Sequence, residues 1–125
     1  MVFWTVVFFI NCAGATEQGD GIVDIYHTKR WIKKRESILR RDGYRCQESK
    51  RYGKNVQATT VHHIFPYEYF PEYAWCDWNL ISLSDKMHNA MHDRDTHRLS
   101  DKGKELLIRT ARKHGIDIPA PIYNL

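Results

Sequence analysis

The sequence has few cysteines and no long apolar run, and both shortages exclude whole classes of protein. Three cysteines, Cys12, Cys46 and Cys76, are an odd number without close pairing, and no CxxC motif occurs. This argues against a disulfide framework and fits a reducing compartment. The first apolar segment, Val2 to Ile10, has nine residues and is too short to span a bilayer. We therefore expect neither a disulfide-linked scaffold nor a stable membrane partner.

The first fifteen residues, MVFWTVVFFINCAGA, differ from the rest of the chain. Their apolar run has the length of a signal-peptide core, and Ala13-Gly14-Ala15 has the form of a cleavage site, but no Lys or Arg precedes the run. Three interpretations stay open: a secretion signal, a buried strand, or sequence upstream of the true start. We treat residues 1–25 as an N-terminal apolar segment and linker. We expect a cytoplasmic protein, or a secreted one if the signal is functional.

The length of 125 residues suits one domain with a sizeable core, and no internal repeat is present. The net charge of +4 is concentrated between residues 29 and 45, where eight basic residues accompany two acidic ones. Such a stripe suits a polyanion, usually nucleic acid, although a solvated helix face would have the same composition. The residues that we expect to bind nucleic acid are Lys29, Arg30, Lys33, Lys34, Arg40, Arg41, Arg45 and Arg94.

Beyond residue 25, the pattern of apolar residues predicts helices that flank two short strands. Trp31 and Ile38 are seven residues apart, as are Ile32 and Leu39. They make one apolar stripe of a helix that Thr28 can cap. The predicted elements are a helix over 28–42, polar turns over 46–57, strands over 59–65 and 80–83 separated by an aromatic loop over 66–78, a helix from 85 to about 94 that residue 84 can cap, and a last helix over 100–114.

Four histidines and one asparagine fall on these elements with a spacing that suggests a metal site. His62 and His63 close the first strand, Asn79 opens the second, and His88 and His92 are four residues apart on the next helix. Positions i and i+4 share one helix face, so His88 and His92 can bind one metal, with His62 as a third ligand if the hairpin packs on the helix. Three neutral ligands leave open positions on the metal, which is typical of catalytic sites.

His63 would then be free of the metal. An imidazole with an ordinary pKa of about 6.5 can take a proton from an attacking water near neutral pH. Asn79 can hydrogen-bond this imidazole or its backbone. Adjacent strand residues point to opposite faces, so His62 and His63 share one phosphate only if the strand twists or bulges there. Pro66 favours a nearby strand end.

The segments VHHI, NLISL and HNAMH, in this order and preceded by ILRRDGYRCQ, resemble the HNH endonucleases, especially the small phage-type members. The resemblance covers roughly residues 26–96. It implies an α+β protein with the ββα-metal fold, in which a short antiparallel hairpin packs on a helix and further helices flank it at both ends. It also implies a nuclease domain over 26–118, followed by a tail over 119–125. Such a domain would nick or cut DNA, and the resemblance implies phage or prophage DNA processing as the setting.

The resemblance also implies site roles. His62, His88 and His92 would bind one divalent metal, His63 would be the general base, and Asn79 would orient the base or touch the metal. Imidazole-rich sites suit transition metals, so Mn²⁺, Ni²⁺ and Zn²⁺ are candidates beside Mg²⁺. DNA is the expected partner, and phage packaging proteins are implied only by the resemblance. By sequence proximity, the side chains expected at the scissile phosphate are Arg45 and Arg94.

One departure from the family pattern concerns zinc. Many relatives hold a structural zinc with two CxxC pairs that flank the hairpin. The corresponding positions here are Cys46, Ser49, Ser84 and Met87. Because only one of these four positions is a cysteine, we predict no structural zinc. We expect packing of the aromatic loop to stabilise this region instead.

Three other functions stay open. A non-catalytic nucleic-acid-binding module could keep the same fold, and a functional leader would indicate a secreted, toxin-like nuclease. A structural metal-binding protein is a third alternative, but the basic stripe argues against it.

Overall fold

The computed structural model describes residues 25–118. The predicted N-terminal apolar segment, its cleavage site and the tail over 119–125 lie outside the described residues. Single 3₁₀ turns are formed by Ile25–His27, Pro71–Tyr73 and Asp77–Asn79. The longer elements are helix α1 (Lys29–Arg41), helix α2 (Gln47–Arg51), strand β1 (Thr60–His63), strand β2 (Leu80–Leu83), helix α3 (Asp85–Ala90) and helix α4 (Asp101–His114).

The two strands form the predicted antiparallel hairpin, with Thr60 opposite Leu83 and His63 opposite Leu80. The α+β class and the ββα arrangement are therefore confirmed. Strand β1 is shorter than the predicted span of 59–65. It ends early because the backbone N–H and C=O of Phe65 bond the side chain of Asn79 instead of a neighbouring strand.

Helix α1 begins as predicted, since the Thr28 hydroxyl accepts a hydrogen bond from the backbone N–H of Trp31 at 3.1 Å. Trp31, Ile38 and Leu39 are buried, but Ile32 is 55% exposed. The prediction that Ile32 belongs to the buried stripe was therefore wrong: it lies one residue, about 100° of helix, beyond Trp31. The face of α1 that carries Trp31 packs on the hairpin.

One whole helix and one helix boundary differ from the prediction. Helix α2 lies where polar turns were expected, and its buried Glu48 accepts a 2.6 Å hydrogen bond from Arg109 on α4. Helix α3 ends at Ala90 and does not extend to residue 94. Ser100 is the cause: its hydroxyl bonds the Ala90 carbonyl at 2.6 Å and its backbone N–H bonds the Met91 carbonyl at 2.8 Å. These carbonyls are thus unavailable to a further helical turn.

The aromatic loop contributes to the core as expected. The ring of Phe65 contacts those of Phe70, Tyr73 and Trp78 at centroid distances of 5.1, 5.3 and 5.7 Å. These edge-to-face contacts are the geometry that aromatic pairs prefer. The loop therefore folds back on the hairpin.

Helix α4 approaches the end of α3 closely at Gly103. A Cβ atom at Gly103 would overlap the carbonyl oxygen of Met91 and crowd the side chain of Leu99. Only glycine allows this approach without a backbone shift. The segment that carries His92 is thereby packed on α4.

The cysteines depart from expectation at one position. Cys46 is a free, buried thiol, whereas Cys76 is disulfide-bonded. The cysteine count alone had argued against such bonds. Within residues 25–118, no helix is long and apolar enough to cross a membrane.

Candidate functional site

Three histidines converge where the hairpin packs on α3. His62 comes from β1, His88 from α3, and His92 lies two residues after the end of that helix. Their ligand atoms all lie within 4.8 Å of one another, and each pair of rings is 5.2 or 5.3 Å apart between centroids. The predicted trio is therefore assembled, although His92 reaches it from a loop and not from a helix.

The chemistry of this trio fits a metal ion. The Nε2 atom of His62 is buried and has no hydrogen-bond partner among the described residues. A buried polar atom without a partner costs free energy, and a divalent cation would use its lone pair. Burial, and then the neighbouring imidazoles, hold the pKa of His62 well below its ordinary value. Burial also lowers the pKa values of His88 and His92, so all three imidazoles are neutral at pH 7 and ready to bind a metal.

His63 lies in a different environment from its neighbour. Its Nε2 atom is 3.1 Å from the Ala74 carbonyl and its Nδ1 atom is 3.3 Å from the Tyr26 hydroxyl. Because a carbonyl only accepts hydrogen bonds, we assign the proton to Nε2 and the lone pair to Nδ1. The rings of Trp31 and Tyr67 stack on the imidazole at centroid distances of 5.1 and 5.9 Å.

Burial lowers the pKa of His63 to about 4, and the hydrogen bond with Ala74 opposes this shift. The imidazole is therefore neutral at pH 7, with a lone pair that can accept a proton.

Both adjacent histidines nevertheless border one cleft of about 660 Å³. The strand ends at His63, so the strict alternation of a longer strand does not separate the two side chains. The cleft is also lined by His88, His92, Arg35 and Tyr67. A proton acceptor and a candidate metal site thus share one opening.

Asn79 is fully buried, and it influences the position of His63 only indirectly. Its Oδ1 accepts from the Phe65 N–H at 2.7 Å, and its Nδ2 donates to the carbonyls of Phe65 and Tyr73 at 3.2 and 3.1 Å. No hydrogen bond joins Asn79 to the His63 imidazole or backbone among the described residues, in contrast to the hypothesis drawn from sequence. Asn79 instead ties the two ends of the aromatic loop together. Tyr73 directly precedes Ala74, so the amide positions the carbonyl that holds the His63 ring.

The basic residues of the stripe fall into distinct groups. Arg41 donates to the carbonyls of Asp77 and Leu80, each at 2.7 Å, and Lys34 forms an ion pair with Asp77. The guanidinium of Arg30 lies 3.9 Å from the centre of the Trp75 ring. Arg30 and Arg41 are exposed despite these contacts, and so are Lys29, Lys33, Arg40 and Arg45 of the stripe and Arg94, which lies outside it.

Sequence reasoning missed Arg35 as a site residue, although it belongs to the stripe. Arg35 borders the histidine cleft, and neither Arg45 nor Arg94 does. Its position four residues after Trp31 was the available signal, because i and i+4 share a helix face and Trp31 packs on His63. Tyr26, the first residue after the segment taken as a linker, was missed as well.

The positions that hold zinc cysteines in many relatives are occupied by a small polar cluster. Ser49 donates to the Cys46 sulfur at 3.2 Å. Burial raises the pKa of the Cys46 thiol, but hydrogen bonds from Ser49 and Ser84 outweigh it and leave the pKa below its ordinary value. One thiol with two hydroxyls is a poor zinc site, and the absence of structural zinc stays a prediction.

No protein-family model and no curated protein matches the chain. Among solved structures, the chain is similar to the crystal structure of the HNH endonuclease of deep-sea thermophilic bacteriophage GVE2 with manganese ion. The two are 32% identical, with a TM-score of 0.51. The similarity covers 52% of this chain and 71% of that chain.

Proposed function

The chain belongs to the HNH endonuclease family, and on this basis we propose that it is a metal-dependent endonuclease that hydrolyses phosphodiester bonds in DNA. One observation carries the proposal: three convergent imidazoles, one with an unpartnered buried nitrogen, share a cleft with the neutral imidazole of His63. A metal centre beside a proton acceptor is the arrangement that metal-assisted hydrolysis requires.

His62, His88 and His92 would hold the metal. A bound divalent cation would stabilise the negative charge that develops on the phosphate during cleavage. Imidazole ligands favour Mn²⁺, Ni²⁺ or Zn²⁺ beside Mg²⁺. Because the similar phage enzyme was crystallised with manganese, Mn²⁺ is the first ion to test.

His63 would act as the general base. Its Nδ1 takes a proton from a water that attacks phosphorus, while the 3′ oxygen leaves and is protonated by solvent, which gives 5′-phosphate and 3′-hydroxyl ends. The Ala74 carbonyl accepts from Nε2–H throughout, and the stacked Trp31 and Tyr67 rings favour the imidazolium once it forms. The attacking water must displace the Tyr26 hydroxyl from its hydrogen bond with Nδ1.

The exposed cations of α1 would bind the DNA backbone mostly without regard to base sequence. The phage source of the similar structure supports phage or prophage DNA processing as the setting. Packaging proteins as partners stay a prediction.

The test is a supercoiled-plasmid assay of the full chain with EDTA, Mn²⁺, Mg²⁺, Ni²⁺ or Zn²⁺. Wild type should nick DNA only when a metal is present. His63→Ala should lower the nicking rate at least about a hundredfold and still bind metal and DNA. His88→Ala should lose metal binding and activity together. His114→Ala, at the far end of α4, is the matched histidine control and should retain activity.

Full activity of His63→Ala would remove the general-base assignment. If wild type binds DNA but cuts it with none of these metals, the non-catalytic binding module becomes the better proposal.

A further inference from the structure

Arg35 differs from the other basic residues of α1 in where its side chain lies. It is half-buried and lines the cleft of His62, His63, His88 and His92. Among residues 25–118, it is the one Lys or Arg that borders this cleft. A cation in this position would contact a ligand bound in the cleft.

The guanidinium is held in a fixed position. Its Nη2 donates to the Thr59 carbonyl at 2.8 Å, and the Thr59 hydroxyl donates to the Asp85 carboxylate at 2.7 Å. Asp85 is the first residue of α3, the helix that carries His88. The chain of contacts therefore fixes Arg35 relative to the candidate metal ligands. A guanidinium has five N–H donors, so this single bond leaves most of them free for a ligand.

Arg35 also lacks a protein anion. Lys34, Arg41, Arg51 and Arg109 form ion pairs with carboxylates, but no carboxylate of the described residues forms one with Arg35. Glu68 lines the same cleft without pairing to it. A half-buried guanidinium beside neutral imidazoles is suited to an oxyanion with two acceptor oxygens.

We propose that Arg35 binds the phosphate at which DNA is cut, donating to its non-bridging oxygens through the N–H groups that Thr59 leaves free. This inference rests on the proposed function and replaces Arg45 and Arg94 as the expected contacts to that phosphate. Because charge grows on those oxygens in the transition state, Arg35 acts on the rate of cleavage. The exposed cations of α1 act on affinity for the DNA backbone.

The first test compares Arg35→Lys with Arg40→Gln, a change on the exposed surface of the same helix, in Mn²⁺-dependent nicking. Arg35→Lys keeps the charge but lacks the planar fork that can bond the Thr59 carbonyl on one side and two phosphate oxygens on the other. It should lower kcat roughly 10- to 100-fold and leave KM within about twofold. Arg40→Gln should instead raise KM. Circular dichroism melts and Mn²⁺ titration of each variant show whether fold and metal site are retained.

The second test does not depend on cleavage. Binding of a fluorescein-labelled duplex is followed by anisotropy in EDTA as salt increases, for wild type and Arg35→Gln. Loss of one phosphate contact should reduce the magnitude of the slope of log K against log salt by about 0.9.

A wild-type kcat in Arg35→Lys would overturn the inference and leave the proposed function standing. If none of the tested metals supports cleavage by wild type, the proposed function fails, and the salt dependence alone tests the inference. A smaller slope for Arg35→Gln than for wild type would support the phosphate contact, and an unchanged slope would refute it.

Discussion

At the scale of single residues, the sequence predicted which histidines come together better than it predicted which groups surround each of them. The trio of candidate metal ligands followed from an i, i+4 pair plus one hairpin contact, and the structure brings their ligand atoms within 4.8 Å of one another. The surroundings of His63 did not follow, because Tyr26, Trp31 and Ala74 reach it from three separate segments. Arg35 was missed for the same reason: its i, i+4 relation to Trp31 points to the cleft only once the packing of Trp31 on His63 is known.

The buried His63 predicts a pH dependence of stability. Its pKa in the folded protein is about 4, below the ordinary 6.5, so the unfolded chain takes up the proton first as the pH falls. Its contribution is fully present above about pH 6.5 and is lost between pH 6.5 and 4, by up to about 3 kcal/mol. The buried His62 shifts in the same direction and steepens the loss.

The measurement is the free energy of unfolding in urea with EDTA between pH 7.5 and 4.5. His63→Gln should show a shallower loss than wild type. His97→Asn, at an exposed position with a positive φ of 62° that asparagine tolerates, should keep the full loss. Equal slopes in wild type and His63→Gln would contradict the assignment.

At the scale of elements, local signals were sufficient where the stabilising contacts are local. Thr28, Ser84 and Ser100 cap their helices from the adjacent residue, and these starts were predicted. Helix α2 and the end of α3 were not predicted, because Glu48 is satisfied by a residue 61 positions later and Ala90 by one ten positions later. Such distant partners leave no periodic trace in sequence.

Asn79 gives the prediction that belongs to this scale, because one amide holds the aromatic loop closed. Asn79→Ala removes three buried hydrogen bonds and should lower the free energy of unfolding by about 3 kcal/mol. The loop should then release the Ala74 carbonyl, so kcat should fall while Mn²⁺ affinity is retained. Urea unfolding, nicking and Mn²⁺ titration measure the three quantities. Loss of Mn²⁺ affinity in a folded Asn79→Ala protein would instead favour direct contact with the metal.

At the scale of the whole molecule, the family resemblance predicted the architecture correctly, whereas nucleic acid as the ligand of the basic stripe stays a prediction. The hairpin lies between α1, which carries seven of the eight basic residues of the stripe, and α3, which carries the candidate metal ligand His88. The described chain has one such histidine cluster. A single site acting on one strand at a time should convert supercoiled plasmid to nicked circles before any linear product appears.

A time course on agarose gels measures this order of products at several protein concentrations. Linear DNA that forms from the start without a nicked intermediate would mean that two sites act together, and would show that the active form is an assembly.

The bonds from Ser100 to the end of α3 bear on how small a working unit can be. All the motif residues fall before residue 96, yet the turn that carries His92 is closed by Ser100 and packed against Gly103, both beyond that limit. A fragment cut at the motif boundary would contain every candidate metal ligand and still lose the backbone bonds that fix one of them. Transplanting this nuclease centre into another protein would therefore require α4 to be carried with it.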